Sequence, residues 1–268
     1  VVEVIGDAAG SQSSVSGQAQ RYPAYERGQP VGLFVPCYID QFYPEIAEAT
    51  ARILSRLGIP VDFPSKQTCC GQPAFNSGYW DEARRVARQF ARAFGGFSWI
   101  VCPSGSCAAM CRVFYPLLEP EGELAQVGRR VFELCEFLVE VVGVRDLGVR
   151  FAHRVTLHVG CHTRRELKAP DPPQILLQHV KGIDFRPLPD AEECCGFGGT
   201  FSVKMPGVSV AMGESKAQNV LTTGAKWLVT TDISCMMHLS GILRRRRGGE
   251  EIRVAHIAEL LAGQLGDR

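Results

Sequence analysis

The sequence predicts an α/β protein of two tandem, pseudo-symmetric domains, each a small, mainly parallel sheet flanked by helices, with cysteines at the carboxyl ends of the strands. Three observations carry this prediction: a duplicated cysteine pattern, strand-like and helix-like runs that alternate in both halves, and a cysteine just beyond several of the strands. The first half holds Cys37, then Cys69-Cys70-Gly71, then Cys107; the second holds Cys161, then Cys194-Cys195-Gly196, then Cys235. From single cysteine to pair is 32 residues in one half and 33 in the other, and from pair to last cysteine 37 and 40. Such self-similarity marks two copies of one structural unit.

The elements follow in order. Val31–Pro36 and Val155–Gly160 are short apolar runs that read as first strands, each placing a cysteine where the strand becomes a loop. Pro44–Leu57 carries Ile46, Ala49, Ile53, Leu54 and Leu57 at helical spacing and stops at Gly58; Pro173–Val180 is its weaker counterpart. Val61–Phe63 and Ile183–Phe185 read as second strands leading to the cysteine pairs. Helices are expected at Tyr79–Phe94 and Val208–Thr222, and third strands at Trp99–Cys102 and Lys226–Thr230. A helix at Phe132–Val142, and a strand at Ile252–Val254 followed by a helix at His256–Ala262, close the two halves. Gly143–Phe151 reads as the linker. The predicted organisation is a flexible N-terminal extension over 1–30, a first cysteine-rich domain over 31–148 and a second over 149–268.

Composition narrows the function. The 268 residues include 29 Lys plus Arg and 28 Asp plus Glu, a net charge of +1, so no overall field attracts nucleic acid. The basic run Arg244–Arg247 reads as a solvated helix end, where cations suit the dipole. The most apolar stretch, Val131–Val142, is interrupted by Glu133, Glu136 and Glu140, so no transmembrane segment is expected. The first 30 residues lack the basic start and apolar core of a secretory signal. A cytoplasmic protein is expected, and its eleven cysteines then read as metal or redox chemistry, not as a disulfide framework.

Thiolates are soft, charged donors that select iron–sulfur clusters, zinc or copper(I) over hard cations. Four per half complete a set for either zinc or a cluster, so Cys37, Cys69, Cys70, Cys107, Cys161, Cys194, Cys195 and Cys235 are the expected ligands. Adjacent thiolates diverge, which suits a multi-iron cluster, or two separate irons, better than one tetrahedral zinc. Gly71, Gly196, Gly198, Gly199 and Gly105 are expected to let backbone approach the metal. Cys111 and Cys135 lie within helical patterns, have no partner in the other half and read as core. Cys102 ends a strand beside the site but aligns with Thr230, and stands as a possible extra ligand. His162, next to Cys161, and His238, three residues after Cys235, are possible extra ligands or hydrogen-bond donors; His158 lies on the strand before them. His153 and His256 are expected at helix ends.

The strings Cys69-Cys-Gly-Gln-Pro-Ala-Phe-Asn-Ser-Gly78, Pro103-Ser-Gly-Ser-Cys107, Glu193-Cys-Cys-Gly-Phe-Gly-Gly-Thr-Phe-Ser-Val-Lys204 and Asp232-Ile-Ser-Cys235 resemble the lactate-utilisation protein A family of CCG-domain iron–sulfur proteins. That family is related to the cysteine-rich CCG component of heterodisulfide reductase and to the glycolate oxidase iron–sulfur subunit. The resemblance covers nearly everything after residue 30. It implies an iron–sulfur electron-transfer subunit, inactive alone, of a complex that oxidises L-lactate to pyruvate, with other iron–sulfur or flavin subunits as partners. The wider pattern ends in Cys-x-x-Cys, whereas Ser104 and Asp232 stand at the first of those positions here. Two [4Fe–4S] clusters on four thiolates each are therefore the simpler expectation, with zinc a possible substitute.

Alternatives to electron transfer are a catalytic subunit of the heterodisulfide-reductase or glycolate-oxidase kind, in which His162, Arg164 or Lys204 grips a carboxylate, and a zinc-stabilised scaffold. No Gly-x-Gly-x-x-Gly follows the first strand, so hydride chemistry is expected elsewhere. Two loops, Phe75–Tyr79 and Phe197–Pro206, carry aromatics including Phe201 that either cover the metal or dock a partner.

Overall fold

The computed structural model describes residues 21–265. The first half runs β1 (Val31–Leu33), α1 (Cys37–Phe42), α2 (Pro44–Arg56), β2 (Val61–Asp62), α3 (Gln72–Asn76), α4 (Trp80–Phe94), β3 (Trp99–Cys102), α5 (Gly105–Ala109), α6 (Tyr115–Leu118), α7 (Glu123–Gly128), β4 (Val131–Glu133) and α8 (Leu134–Glu136). The second runs β5 (Arg154–His158), α9 (Asp171–Gln178), β6 (Asp184–Phe185), α10 (Thr200–Lys204), α11 (Pro206–Thr222), β7 (Trp227–Thr230), α12 (Ile233–Leu243), β8 (Arg253–His256) and α13 (Ile257–Leu261). Wider π-helical turns at Met110–Phe114, Phe137–Val141 and His162–Glu166 extend α5, extend α8 and follow Cys161.

Each half forms a four-stranded, wholly parallel sheet, in the orders β2-β1-β3-β4 and β6-β5-β7-β8. β1 and β3 lie side by side although β2 separates them in sequence. Connections therefore leave in opposite directions at the β1/β3 boundary, and a crevice opens beyond the strand carboxyl ends. Cys37 follows β1 and Cys107 follows β3; Cys161 and Cys235 occupy the matching places after β5 and β7. The predicted fold class is the one observed.

Strand alternation divides the packing. Val31, Leu33, Trp99 and Val101 of one sheet, and Val155, Leu157, Trp227 and Val229 of the other, face a single central core. That core is filled by α2, α8, the π turn at Phe137–Val141, α9 and α13. Here α13 packs on α2, and α8 with its π turn packs on α9, so the halves meet through their helices. Gly32 and the alternate strand positions face the outer layers. α4 and the helices around Met110 cover the first sheet; α11 and α12 cover the second.

Two sequence expectations are corrected. Val131–Glu133 is a strand paired with Ile100–Cys102, not the start of a helix. The carboxylate of Glu133 is buried and accepts hydrogen bonds from the Cys135 and Glu136 N–H groups, so an acidic residue that resembles an exposed helix position caps the helix that follows. His153 lies before β5, 4.5 Å from the Phe151 ring, not at a helix end. His256 does cap α13, in a reciprocal arrangement with Glu259. The basic run follows the end of α12, and Arg246 donates to Glu214 O and Gln218 Oε1 of α11.

The expected extension over 1–30 lies outside the described residues as far as residue 20. Residues 21–30 are fixed to both halves: Tyr22 OH donates to Glu136 Oε1 at 2.8 Å and Trp99 Nε1 donates to Gln29 at 3.1 Å in the first, and Arg21 donates to Leu167 O at 3.2 Å in the second.

Candidate metal centre

Cys37 is the first residue of α1, Cys107 lies in the first turn of α5, and Cys235 in the first turn of α12. The expectation of loops at Cys37 and Cys161 is corrected. The chain turns directly into helix at Cys37 and into the π turn after Cys161. Each cysteine pair is followed by a glycine in the left-handed region, Gly71 at φ 87° and Gly196 at φ 92°. That conformation turns the glycine N–H back onto the first sulfur of the pair, at 3.4 Å from Cys69 Sγ and 3.4 Å from Cys194 Sγ. A side chain at Gly196 would also strike Ser209 O, which explains the glycine without a metal.

The loops leading to the pairs are pinned as well. Gln67 mimics a strand, accepting from Val35 N–H at 2.8 Å and donating to Leu33 O at 3.2 Å, which places Cys69 two residues on. Tyr115 OH donates to Cys70 O at 3.0 Å. In the second half the buried Lys216 ammonium donates to Asp190 O, four residues before Cys194.

The eight expected ligands meet. Sγ–Sγ separations are 3.7 Å for Cys37–Cys69, 3.5 Å for Cys70–Cys107, 3.8 Å for Cys161–Cys194 and 3.2 Å for Cys195–Cys235. These thiols are in contact but unbonded, since a disulfide would hold its sulfurs about 2.05 Å apart. All eight line one cavity between the halves, together with Tyr38, Gln72, Ser106, His162, Phe197 and Asp232.

Packed thiols repel one another as thiolates, so the sites polarise. Hydrogen bonds from the Cys37 and Cys70 thiols and from Gly71 N–H draw Cys69 down to about 3, against the upward pull of burial. The same arrangement of Cys161, Cys195 and Gly196 draws Cys194 down to about 2. Cys37 and Cys161 are pushed far up by those same contacts, and Cys70 and Cys195 rise with them. Cys235 is drawn to about 7, first by the Cys195 thiol. Partly ionised thiol clusters are a donor set for a soft cation, which stabilises every thiolate at once. The residues fit a thiolate-bound metal.

The other expected site residues separate. His162 lines the cavity, with Nδ1 3.6 Å from Cys161 Sγ and Nε2 3.3 Å from the Gln72 amide of the other half. His238 is taken up between α11 and α12, where its Nε2 meets Ser209 O at 3.3 Å and its ring lies 6.0 Å from Phe197. Cys102 is buried, with Sγ 3.5 Å from Ser104 O. Cys111 and Cys135 are buried in the apolar cores. Lys204 is exposed, and Arg164 is half-buried with its Nε unpartnered. A side chain at Gly105 would overlap Thr163 Oγ1, so this glycine lets the halves meet. Phe75 and Phe201 are half-buried; Phe75 stacks on Trp80 at 5.5 Å.

Two features are not legible in the cysteine pattern. Ser104 and Asp232, the paired positions without cysteine, bond to each other: Asp232 Oδ2 accepts from Ser104 Oγ at 3.1 Å and from Ser106 N–H at 2.7 Å. Burial raises the Asp232 pKa, but hydrogen bonds from Ser234 and Ser106 outweigh it and the carboxyl ends below its ordinary range. The second feature is His158, fully buried within 4.8 Å of two of the sulfurs. Its only sequence signal is a histidine inside an otherwise apolar strand.

The cysteine-rich domain family (CCG) matches residues 31–112 and 155–240. Lactate utilization protein A of Geobacillus kaustophilus is 47% identical over 235 residues, covering 86% of this chain and 98% of that protein. The Oceanobacillus iheyensis protein of the same name is 45% identical, covering 86% and 96%. Among solved structures, glutamate racemase from Thermus thermophilus aligns over 90% of this chain and 80% of its own at 14% identity, with a TM-score of 0.30, too low to carry an argument.

Proposed function

Since the chain belongs to the lactate utilization protein A family, we propose that it is an iron–sulfur electron-transfer subunit of a complex oxidising L-lactate to pyruvate, with two [4Fe–4S] clusters. One observation carries the reading: eight unbonded cysteines, drawn from both halves, converge on one cavity at the carboxyl ends of two parallel sheets. Cys37, Cys69, Cys70 and Cys107 would hold one cluster; Cys161, Cys194, Cys195 and Cys235 the other. The clusters would supply reversible one-electron chemistry.

The chain's own residues set the conditions for that chemistry. Gly71 and Gly196 direct N–H groups at sulfur, and such hydrogen bonds stabilise the more reduced, more negative state. Tyr38 and Phe197, ring to ring at 6.0 Å across the halves, border the cavity and limit water. Asp232 ties the two sites together through Ser104 and Ser106, fixing their separation as electron transfer requires. No described helix is long and apolar enough to cross a membrane. A cytoplasmic location is part of the proposal, because open thiols persist in a reducing compartment. The partners would be further iron–sulfur or flavin subunits that carry out the two-electron step on lactate.

The test is the anaerobically purified chain. Iron and sulfide in equal amounts, a broad absorption near 400 nm, and EPR signals that appear when lactate is added to the assembled complex are expected. Colourless protein holding stoichiometric zinc after reconstitution under argon would favour a scaffold instead.

A further inference from the structure

At the carboxyl end of each sheet the first and third strands finish side by side, with two side chains facing the outer helices. In the first half these are Phe34 and Cys102, just past and at the end of the β1–β3 pairing; in the second they are His158 and Thr230, paired in register. One member of each pair behaves alike. Cys102 Sγ contacts Ser104 O at 3.5 Å, and Thr230 Oγ1 donates to Asp232 O at 3.2 Å, each reaching two residues along the chain. The other members differ. Phe34 is packed edge-on against Phe90 at 4.9 Å and Phe94 at 5.7 Å. His158 is fully buried, and neither ring nitrogen has an oxygen or nitrogen partner; the polar group it faces is the Cys235 sulfur, whose pKa it helps to lower.

A buried imidazole with both its donor and its acceptor unmet is costly, and a ligand that meets them removes that cost. Among the described residues, a His158 ring nitrogen with Cys195 Sγ and Cys235 Sγ forms the group of three such donors lying within 4.8 Å of one another, all buried. Neutral imidazole is a good ligand for iron and zinc alike. We propose that His158 is a nitrogen ligand of the second metal site alone, so that the two halves hold chemically different centres. This rests on the reading that the cysteines bind metal. The first half has no equivalent, since Phe34 stands at that place. Standing at one iron in place of one of the four thiolates, a neutral donor leaves the second centre less negative and easier to reduce than the first.

The test uses the full chain, labelled with 15N-histidine and purified without air. Pulsed EPR of the reduced protein is expected to show one strongly coupled histidine nitrogen, lost in His158→Phe. His158→Cys, which keeps a donor in place, is expected to load metal and to shift the second potential in the negative direction. Coupling unchanged in His158→Phe, coupling only of the weak size that a hydrogen bond to sulfur gives, or an unmoved potential in His158→Cys each overturns the assignment. If the wild-type chain takes up no iron, the function proposed above fails, and cobalt(II) added to the reduced chain decides the ligand question separately. A paramagnetically shifted imidazole proton that His158→Phe removes is then expected; a spectrum from thiolates alone overturns it.

Discussion

On the outer face of the first sheet, α4 buries Ala83, Ala87, Phe90, Ala91 and Phe94; on the outer face of the second, α11 buries Ser209, Gly213, Lys216, Ala217 and Val220 at the same spacing. The two helices occupy the same place in the repeat, yet what they bury differs in kind. Phe90 sits in an aromatic cluster with Phe94 at 4.5 Å and Tyr115 at 5.7 Å. At the matching position Lys216 extends its ammonium to Asp190 O, and burial lowers its pKa against the pull of Glu193 and Asp190. Glycine at 213 lets α12 approach until a side chain there would strike Ile242 and His238. One backbone plan thus supports an apolar layer behind the first cysteine set and a polar one, with His158 and Lys216, behind the second. A duplicated fold fixes where a metal can sit; the residues behind it set what surrounds the metal.

The comparison can be broken first where the effect is largest. Phe90→Ala removes a fully buried ring from a packed cluster and is expected to cost about 3–5 kcal/mol in denaturant unfolding, with the first-half EPR signal lost before the second. If the second-half signal fails first, the outer layers do not serve their own halves.

Asp232→Ala removes the carboxylate that joins the halves and leaves Ser106 N–H without its acceptor. A loss of about 2–3 kcal/mol is expected, against about 1 for Ser104→Ala, which removes a single hydroxyl donor. Equal losses would show that the two positions are not the charged and neutral ends of one link.

Glu133 and His256 end the fourth strands of their halves and cap the following helices, but with opposite electrostatics. Burial pushes Glu133 up from 4.5 to about 8 and His256 down from 6.5 to about 4. The folded state resists ionising Glu133, so stability falls as pH rises from about 4.5 toward 8. It also resists protonating His256, so stability falls as pH drops from about 6.5 toward 4. Glu133→Gln should flatten the alkaline limb of the stability profile, by at most about 1.4 kcal/mol per pH unit, and leave the acid limb alone. His256→Asn should flatten only the acid limb. Loss of both limbs in either variant would mean that the two groups titrate as one system.

The smallest expected effect is Lys216→Met. The longer part of the side chain stays packed and only the ammonium contact to Asp190 O is lost, so a change under about 1 kcal/mol is expected in calorimetry, with no loss of iron. Iron loss from the second site would show that the loop before Cys194 holds its cysteines only while the Lys216 contact is in place.

Within each half, the main strands and the helices α2, α4, α9, α11 and α13 were legible from the sequence, whereas α12 and the short helices α1, α3, α5–α7 and α10 were not expected. Repeat spacing fixed two copies, alternation fixed βαβ units, and a cysteine after the first strand placed the site at the carboxyl edge, because strand and helix periods and turn residues act over a few neighbours. The strand that was missed was β4: three residues are too few for a period of two to register, and Glu133 reads as solvent-facing until its burial beneath a helix start is known. What the tertiary structure decided lies between halves or across strands. The shared central core, the single cavity, the Ser104–Asp232 link and the exposure of His158 to two sulfurs join residues from about 40 to more than 120 positions apart, and no local pattern encodes which distant partner will fill a given space. A histidine in an apolar strand is written in the sequence; that its nitrogens meet no oxygen or nitrogen, only sulfur, is known only once every neighbour is in place.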